Sequence, residues 1–319
     1  MRYSLDKIPR KPATTAQARF MGPIPIASWW GRFLLYANLV GLLAGCGSTN
    51  PVDPDFTVNI PPEEVAIQAG LLDEASGIAD SRTMKGNLWV EEDSGNPAQI
   101  NLLTYQGKLV ARLPLPGVQN RDWEDLAIGP GPQPGLSYLY LADIGDNAKT
   151  NAVNYIYRFE EPKTATEAIK QVDQIAFTYP DGPRDAETIL LDPLTRDVWI
   201  VTKAEAKVRL YQLPYPQNTT QPTTASFQGE LPLSLVTSGN ISPDGTHILL
   251  KTYVGIFYWQ RTGTASLAAT LLNQSPRSLP YLIEPQGEAV AFDQTGTGFF
   301  TLSERGNASS VTLNYYKRR

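Results

Sequence analysis

Arg121-Asp122-Trp123-Glu124-Asp125-Leu126-Ala127 and Arg184-Asp185-Ala186-Glu187-Thr188-Ile189-Leu190 are two versions of one phrase: a base, two acids flanking one residue, then an apolar run. Looser copies stand at Glu74-Ala75-Ser76-Gly77-Ile78-Ala79, Ser238-Gly239-Asn240-Ile241-Ser242 and Gly287-Glu288-Ala289-Val290-Ala291. With Ser76, Glu124, Glu187, Gly239 and Glu288 as markers, the spacings are 48, 63, 52 and 49 residues. Self-similarity at a period of about 50 residues marks a repeat architecture.

Between the markers the chain is written in strands. Short apolar or alternating runs such as Asn87–Val90, Tyr138–Ala142, Asp197–Thr202, His247–Lys251 and Gly298–Leu302 are broken by Gly, Pro, Asn or Asp. The 25 Gly and 26 Pro suit a loop-rich β protein. Long amphipathic helical patterns are scarce. Each interval holds about four strands, and a four-stranded unit of about 50 residues reads as a β-propeller blade. One such sheet has two open edges and bare faces; a closed ring covers the faces. The fold class expected is therefore all-β, a propeller of four-stranded blades, five in number, or six if the 63-residue interval holds an irregular one. The last unit runs out of chain after three strands, and residues 64–72 are expected to supply its fourth and close the ring. A two-sheet sandwich predicts no such period.

Upstream of the repeats the chain changes character. Phe33 to Leu43 is an uncharged apolar run, too short for the roughly 20 residues of a membrane span, preceded by Arg32 and ending in Leu43-Ala44-Gly45-Cys46. A basic flank, a short apolar core and small residues before a cut site make an export signal. The ending resembles the lipobox of bacterial lipoproteins, and the chain's one Cys stands where that motif needs it. The resemblance implies cleavage before Cys46, diacylglycerol on its sulfur and a palmitate-like acyl chain on its new amine. It places the protein outside the cytoplasm, anchored to a membrane and facing the periplasm or cell exterior. The expected organisation is 1–45 signal peptide (Met21 being an alternative start), 46–63 lipidated Cys and Pro-rich tether, and 64–319 propeller.

The 1–45 segment holds six of the 27 basic residues and one of the 32 acidic ones, so the mature chain carries 21 against 31, a net of −10. A phosphate backbone is repelled by that charge, so nucleic acid is not an expected partner. One Cys and one His rule out a disulfide framework, a Cys/His zinc site and an iron–sulfur cluster. A Ser–His–Asp triad would have to use His247, which opens a strand far from the expected funnel.

The motifs DWEDLAIGP, YLYLADIGDN, DAETILLD, GNISPDG and GEAVAFD resemble exported bacterial propellers near the NHL/TolB-like and phytase-like superfamilies. The resemblance spans roughly residues 70–310 and implies architecture rather than catalytic residues.

In a propeller the innermost strand of each blade starts near the axis, on the face that usually binds ligands, and the turn after the second strand opens on the same face. Strand starts then contribute Glu74, Asp122, Glu124, Asp185, Glu187, Asn240 and Glu288. The turns contribute Glu92, Asp93, Asp143, Asp146, Asn147, Lys203, Lys251 and Glu304. Carboxylates gathered this way repel unless they take up protons, pair with Lys or Arg, or hold a cation. Hard oxygen ligands favour calcium. The candidate metal residues are Glu124, Glu187, Glu288, Asp122, Asp185 and Asp143; Asn240, Asp93, Lys203 and Lys251 are the candidate ligand-binding ones. Pairing of Arg121, Arg184, Lys203 and Lys251 with these acids is the structural alternative. The function expected is a monomeric binding or scaffold module that presents an acidic funnel to a protein or small molecule. The alternative is a metal-dependent hydrolase of phosphate esters or lactones, with Asp93-Ser94-Gly95 and Lys203 near the reaction.

Overall fold

The computed structural model describes residues 56–319; the leader, Cys46 and the first part of the tether lie outside the described residues. In chain order, β1 is Glu63–Ile67. Blade 1 is β2 (Ala75–Asp80), β3 (Asn87–Glu92), β4 (Gln99–Thr104) and β5 (Leu109–Pro114). Blade 2 is β6 (Trp123–Pro130), β7 (Ser137–Asp143), β8 (Asn154–Glu160) and β9 (Asp173–Thr178). Blade 3 is β10 (Ala186–Leu191), β11 (Val198–Thr202), β12 (Val208–Leu213) and β14 (Ser226–Leu231); the two-residue β13 (Thr223–Thr224) leaves it to pair in parallel with β9. Blade 4 is β15 (Val236–Ile241), β16 (His247–Thr252), β17 (Gly255–Gln260) and β18 (Arg277–Leu279). Blade 5 is β19 (Gly287–Phe292), β20 (Gly298–Ser303) and β21 (Val311–Lys317), completed by β1 along the outer edge of β21. The five sheets form a propeller, closed by an N-terminal strand as the period predicts. The 63-residue interval holds a longer blade rather than a sixth.

Each blade buries both faces. In β3, Leu88 and Val90 enter the cluster shared with blade 5, while Trp89 between them enters the cluster shared with blade 2. Strand alternation thus feeds two interfaces at once, which is why these strands read as continuous apolar runs. Five apolar clusters result, one at each blade junction. Polar ties add to them. Glu161 Oε1 accepts from Ser81 Oγ at 2.7 Å and Trp89 Nε1 at 3.0 Å, joining blades 2 and 1. Asp192 and Arg261, both buried, pair at 2.8 Å across blades 3 and 4. The one helix among the described residues, α1 (Leu267–Asn273), is capped by Ser266 and buries Leu267 and Leu271 at the same junction.

The innermost strands β2, β6, β10, β15 and β19 follow one another around the axis. Crowding there selects small residues: a Cβ at Gly77 would strike the backbone of Asp125 and Leu126. On the opposite side, Phe56 stacks on Tyr258 with ring centroids 4.4 Å apart, and Val58 bridges to Arg318. The stretch from Phe56 onward, expected as tether, therefore packs against the propeller.

Candidate functional site

Every innermost strand carries a β-bulge near its start. The skipped residues are Ser76 and Gly77 in blade 1, Glu124 in blade 2, Glu187 in blade 3, Thr237 in blade 4 and Glu288 in blade 5. A bulge leaves a residue out of the ladder and re-aims its side chain. That is the physical content of the repeat: Glu124, Glu187 and Glu288 are the same position in three blades. The register also aligns the residue after each second strand, giving Asp93, Ile144, Lys203, Tyr253 and Glu304. The first set lies at the floor of the funnel and Asp93, Lys203, Tyr253 and Glu304 of the second at its mouth, while Ile144 turns into the apolar junction of blades 2 and 3.

The acids converge. Carboxylate oxygens of Asp93, Asp122 and Glu124 all lie within 4.8 Å of one another. Gly145 makes room for them, since a Cβ there would collide with Glu124 Oε1 and Asp122 Oδ2. Glu124 is buried; burial first, then the Asp93 and Asp122 charges, push its carboxyl well up despite nearby Lys203. Asp93 and Asp122 are also raised, mainly by burial.

Lys203, at the mouth position of blade 3, reaches back to the bulge glutamate of its own blade. Its ammonium pairs with Glu187 and lies 5.5 Å from the Tyr253 ring centroid. Glu187 Oε2 is buried without a partner. Glu288 accepts from Tyr253 Oη at 2.9 Å through Oε1, while its Oε2 is buried and unpartnered. Burial raises the Glu288 carboxyl against the pull of Lys203 and Lys251. Glu304 at the mouth is pushed up to about 7 by burial and by Glu288, Asp93 and Glu74.

Three candidates, Asp143, Asn240 and Lys251, stand elsewhere than expected. Asp143 is the last residue of β7, one place short of the funnel position; it turns to the blade side and binds Arg121 at 3.1 Å and Tyr157 Oη at 3.3 Å. Asp185 keeps the place expected, two residues before its bulge as Asp122 is, and its charge acts on Asp122; it is buried, its Oδ1 accepting the Asp146 N–H at 3.0 Å. Asn240 lies three residues past the blade 4 bulge, where its side-chain oxygen accepts the Phe292 N–H at 3.1 Å and ties blade 4 to blade 5. The true counterpart of the glutamates in blade 4 is Thr237. Lys251 lies two residues before the mouth position and is fully buried, donating to the Gly287 carbonyl and lying 3.7 Å from Glu284. Tyr253 takes the mouth position in its place. Asp146 is satisfied locally by the Thr150 and Asn151 N–H groups, and Arg184 turns outward to Asp181 at 2.9 Å.

Sequence reasoning misses three residues of the funnel. The first is Tyr253, at the mouth. The second is Glu91, fully buried with neither carboxylate oxygen hydrogen-bonded; burial with the Asp93 and Asp125 charges holds its carboxyl well up. The third, Asp125, closes the channel: from blade 2 it accepts the Ile189 N–H of blade 3 at 3.0 Å and the Ser238 Oγ of blade 4 at 3.1 Å. Ser238 Oγ accepts in turn from the Val290 N–H of blade 5 at 3.2 Å. An acid inside an otherwise apolar strand, as at Glu91, is the signal that could have found it.

Fold and site together define a class: a five-bladed β-propeller with a carboxylate-lined funnel closed at its base. No family model and no curated protein matches the chain. Solved structures similar to it include a nidogen/laminin complex, at 12% identity over 75% of this chain and 74% of that one with a TM-score of 0.45. Another is the Dos1 propeller, at 9% identity over 82% and 95% with a TM-score of 0.38. The architecture follows from the order of strands in the five sheets.

Proposed function

We propose that this chain is an exported, lipid-anchored binding module whose funnel holds a divalent cation between Asp93, Asp122 and Glu124. The convergence of those three carboxylates on one point carries the reading. Like charges held this close need protons, a counter-charge or an ion, and the nearest ammonium, on Lys203, is engaged by Glu187. Three carboxylates offer up to six oxygens, suited to calcium, which takes six to eight. Glu187 and Glu288 stand behind as a second tier.

Calcium should raise the melting temperature and a chelator should reverse the rise. At a hundredfold excess over Kd the gain is about 2.7 kcal/mol, roughly 5–10 °C for a domain of this size. The double variant Asp122→Asn/Glu124→Gln should lose the response. Unchanged melting of the parent protein in millimolar calcium would sink the cation.

The anchor rests on the lipobox alone. Cys46→Ser should move the protein from the membrane fraction to the supernatant of lysed cells, because it removes the sulfur that carries the diacylglycerol; retention of the variant would refute the anchor. The hydrolase reading draws on the same ion. Lys203, its one candidate for steadying an anion, is held by Glu187, and the surrounding acids oppose an anionic phosphate ester. Chelator-sensitive turnover of a phosphomonoester or lactone would reverse that preference.

A further inference from the structure

The funnel has a lip as well as a well. Leu235, Val254, Leu282 and Ile283 are 46%, 73%, 40% and 70% exposed. They sit in the connections that open blades 4 and 5 on the funnel face. Leu235 directly precedes β15, opposite Tyr253 in the extended register, and Val254 follows Tyr253 in the two-residue turn into β17. Ile283 precedes Glu284, which reaches Lys251 at 3.7 Å beneath that turn. Leu235 is also held in the left-handed region, at φ 57°, which a branched side chain disfavours and glycine adopts freely. Its N–H is fastened to the Lys203 carbonyl at 2.7 Å. An aliphatic side chain displayed from a strained backbone, beside others as exposed, is not explained by packing.

Glu304 acts on Tyr253, the neighbour of Val254 in this lip, and Glu74 acts on Glu304. Neither makes an ion pair with a Lys or Arg among the described residues; Asn96 donates to Glu74 at 2.7 Å and Gln286 to Glu304 at 2.7 Å. Glu304 feels the Glu288, Asp93 and Glu74 charges, with Lys203 alone set against them. The surface therefore offers an apolar shelf with surplus negative charge along one side. Aliphatic area buried against it and a cation set against the carboxylates are the two contributions it rewards.

We propose that the funnel face docks a partner protein through a segment that lays aliphatic side chains on Leu235, Val254 and Ile283 and sets a lysine or arginine against Glu74 and Glu304. This deepens the binding-module reading but does not depend on the cation. Central apolar anchors with a charged rim are the usual anatomy of such an interface.

The test is selection of a random 12-residue peptide display library on the immobilised full chain, in calcium and again in a chelator. The expected result is enrichment of sequences with Lys or Arg one to three residues from Leu, Ile, Val or Phe. Synthetic peptides from that set should bind at least tenfold more weakly to Val254→Asp/Ile283→Asp and to Glu74→Lys/Glu304→Lys. Val254, Ile283 and Glu74 are exposed and Glu304 is half-buried; an unchanged melting temperature verifies folding of each variant. Absence of enrichment, enrichment of acidic or neutral sequences, or binding that either double variant leaves intact would overturn the proposal. Loss of the calcium shift with peptide binding preserved would remove the ion and leave the docking face standing.

Discussion

Replacing Asp125 with Ala is expected to lower the stability of the propeller by about 3–5 kcal/mol, seen as a drop of roughly 10 °C in melting temperature. The Asp125 carboxyl group is where blades 2, 3 and 4 meet on the axis, through Ile189 N–H, Ser238 Oγ and its neighbour Leu126 N–H. Alanine leaves three buried donors without an acceptor, at about 1–3 kcal/mol each. No outer strand takes over, because among the described residues it is the inner strands that pack on one another around the axis. Asp125→Asn keeps an acceptor for Ile189 and should cost less than the alanine change. Urea unfolding would show a lower midpoint with an unchanged slope. A loss below about 1 kcal/mol would mean that water serves these donors and that Asp125 does not tie the ring.

Stability is expected to fall as pH rises from about 4 to 8, the reverse of the behaviour usual for ion-paired acids. Burial pushes the carboxyls of Asp80 up to about 6, Glu304 up to about 7 and Asp125 up to about 8. In the unfolded chain the same groups lose their protons near 3.8 and 4.5. Between those limits the folded state holds more protons than the unfolded one, so each step up in pH favours unfolding. Asp293 works the other way. Its burial acts upward, but hydrogen bonds from Thr295, Tyr315 and Thr297 outweigh it and hold its carboxyl down. Asp181 and Asp244 are likewise lowered, so acid below about 4 also destabilises. The result is a stability maximum near pH 4–5 and a descending limb through neutrality carried by the buried Asp80 and Asp125, on the order of several kcal/mol at about 1.4 kcal/mol for each tenfold change in proton affinity, with half-buried Glu304 adding less because solvent screens it. Asp125→Asn should flatten that limb. Chemical denaturation at a series of pH values, without calcium, decides it; a rising or level limb between pH 5 and 8 would count against the buried, protonated acids.

Parts of the funnel are legible in the sequence because charge marks them. Glu124, Glu187 and Glu288 recur at one step of the repeat, and a charged bulge residue stands out in an apolar strand. Blade 4 shows the limit. Its bulge residue is Thr237, which carries no charge, so the sequence pattern points to Ser238-Gly239-Asn240 and sets the marker two places late. The same slip puts Lys251 at the mouth in place of Tyr253. Asp143 fails by a single residue, and in a strand one residue is a change of face. Asp125 is hidden differently. Its counterparts Thr188, Ser238 and Ala289 are neutral, so the repeat offers no reason to read it apart from the acidic run around it.

Local order is written along the chain: strand length, turn chemistry and a period of about 50 residues settle the blade and the ring, because each depends on neighbours a few residues away. What the carboxylates do depends on which side chains meet after the ring closes. Asp125 reaches Ser238 over a separation of 113 residues, and Asp93 of blade 1 meets Asp122 and Glu124 of blade 2, while the Lys203 ammonium is held by Glu187 inside blade 3. Those are properties of the closed ring, and no stretch of sequence contains them.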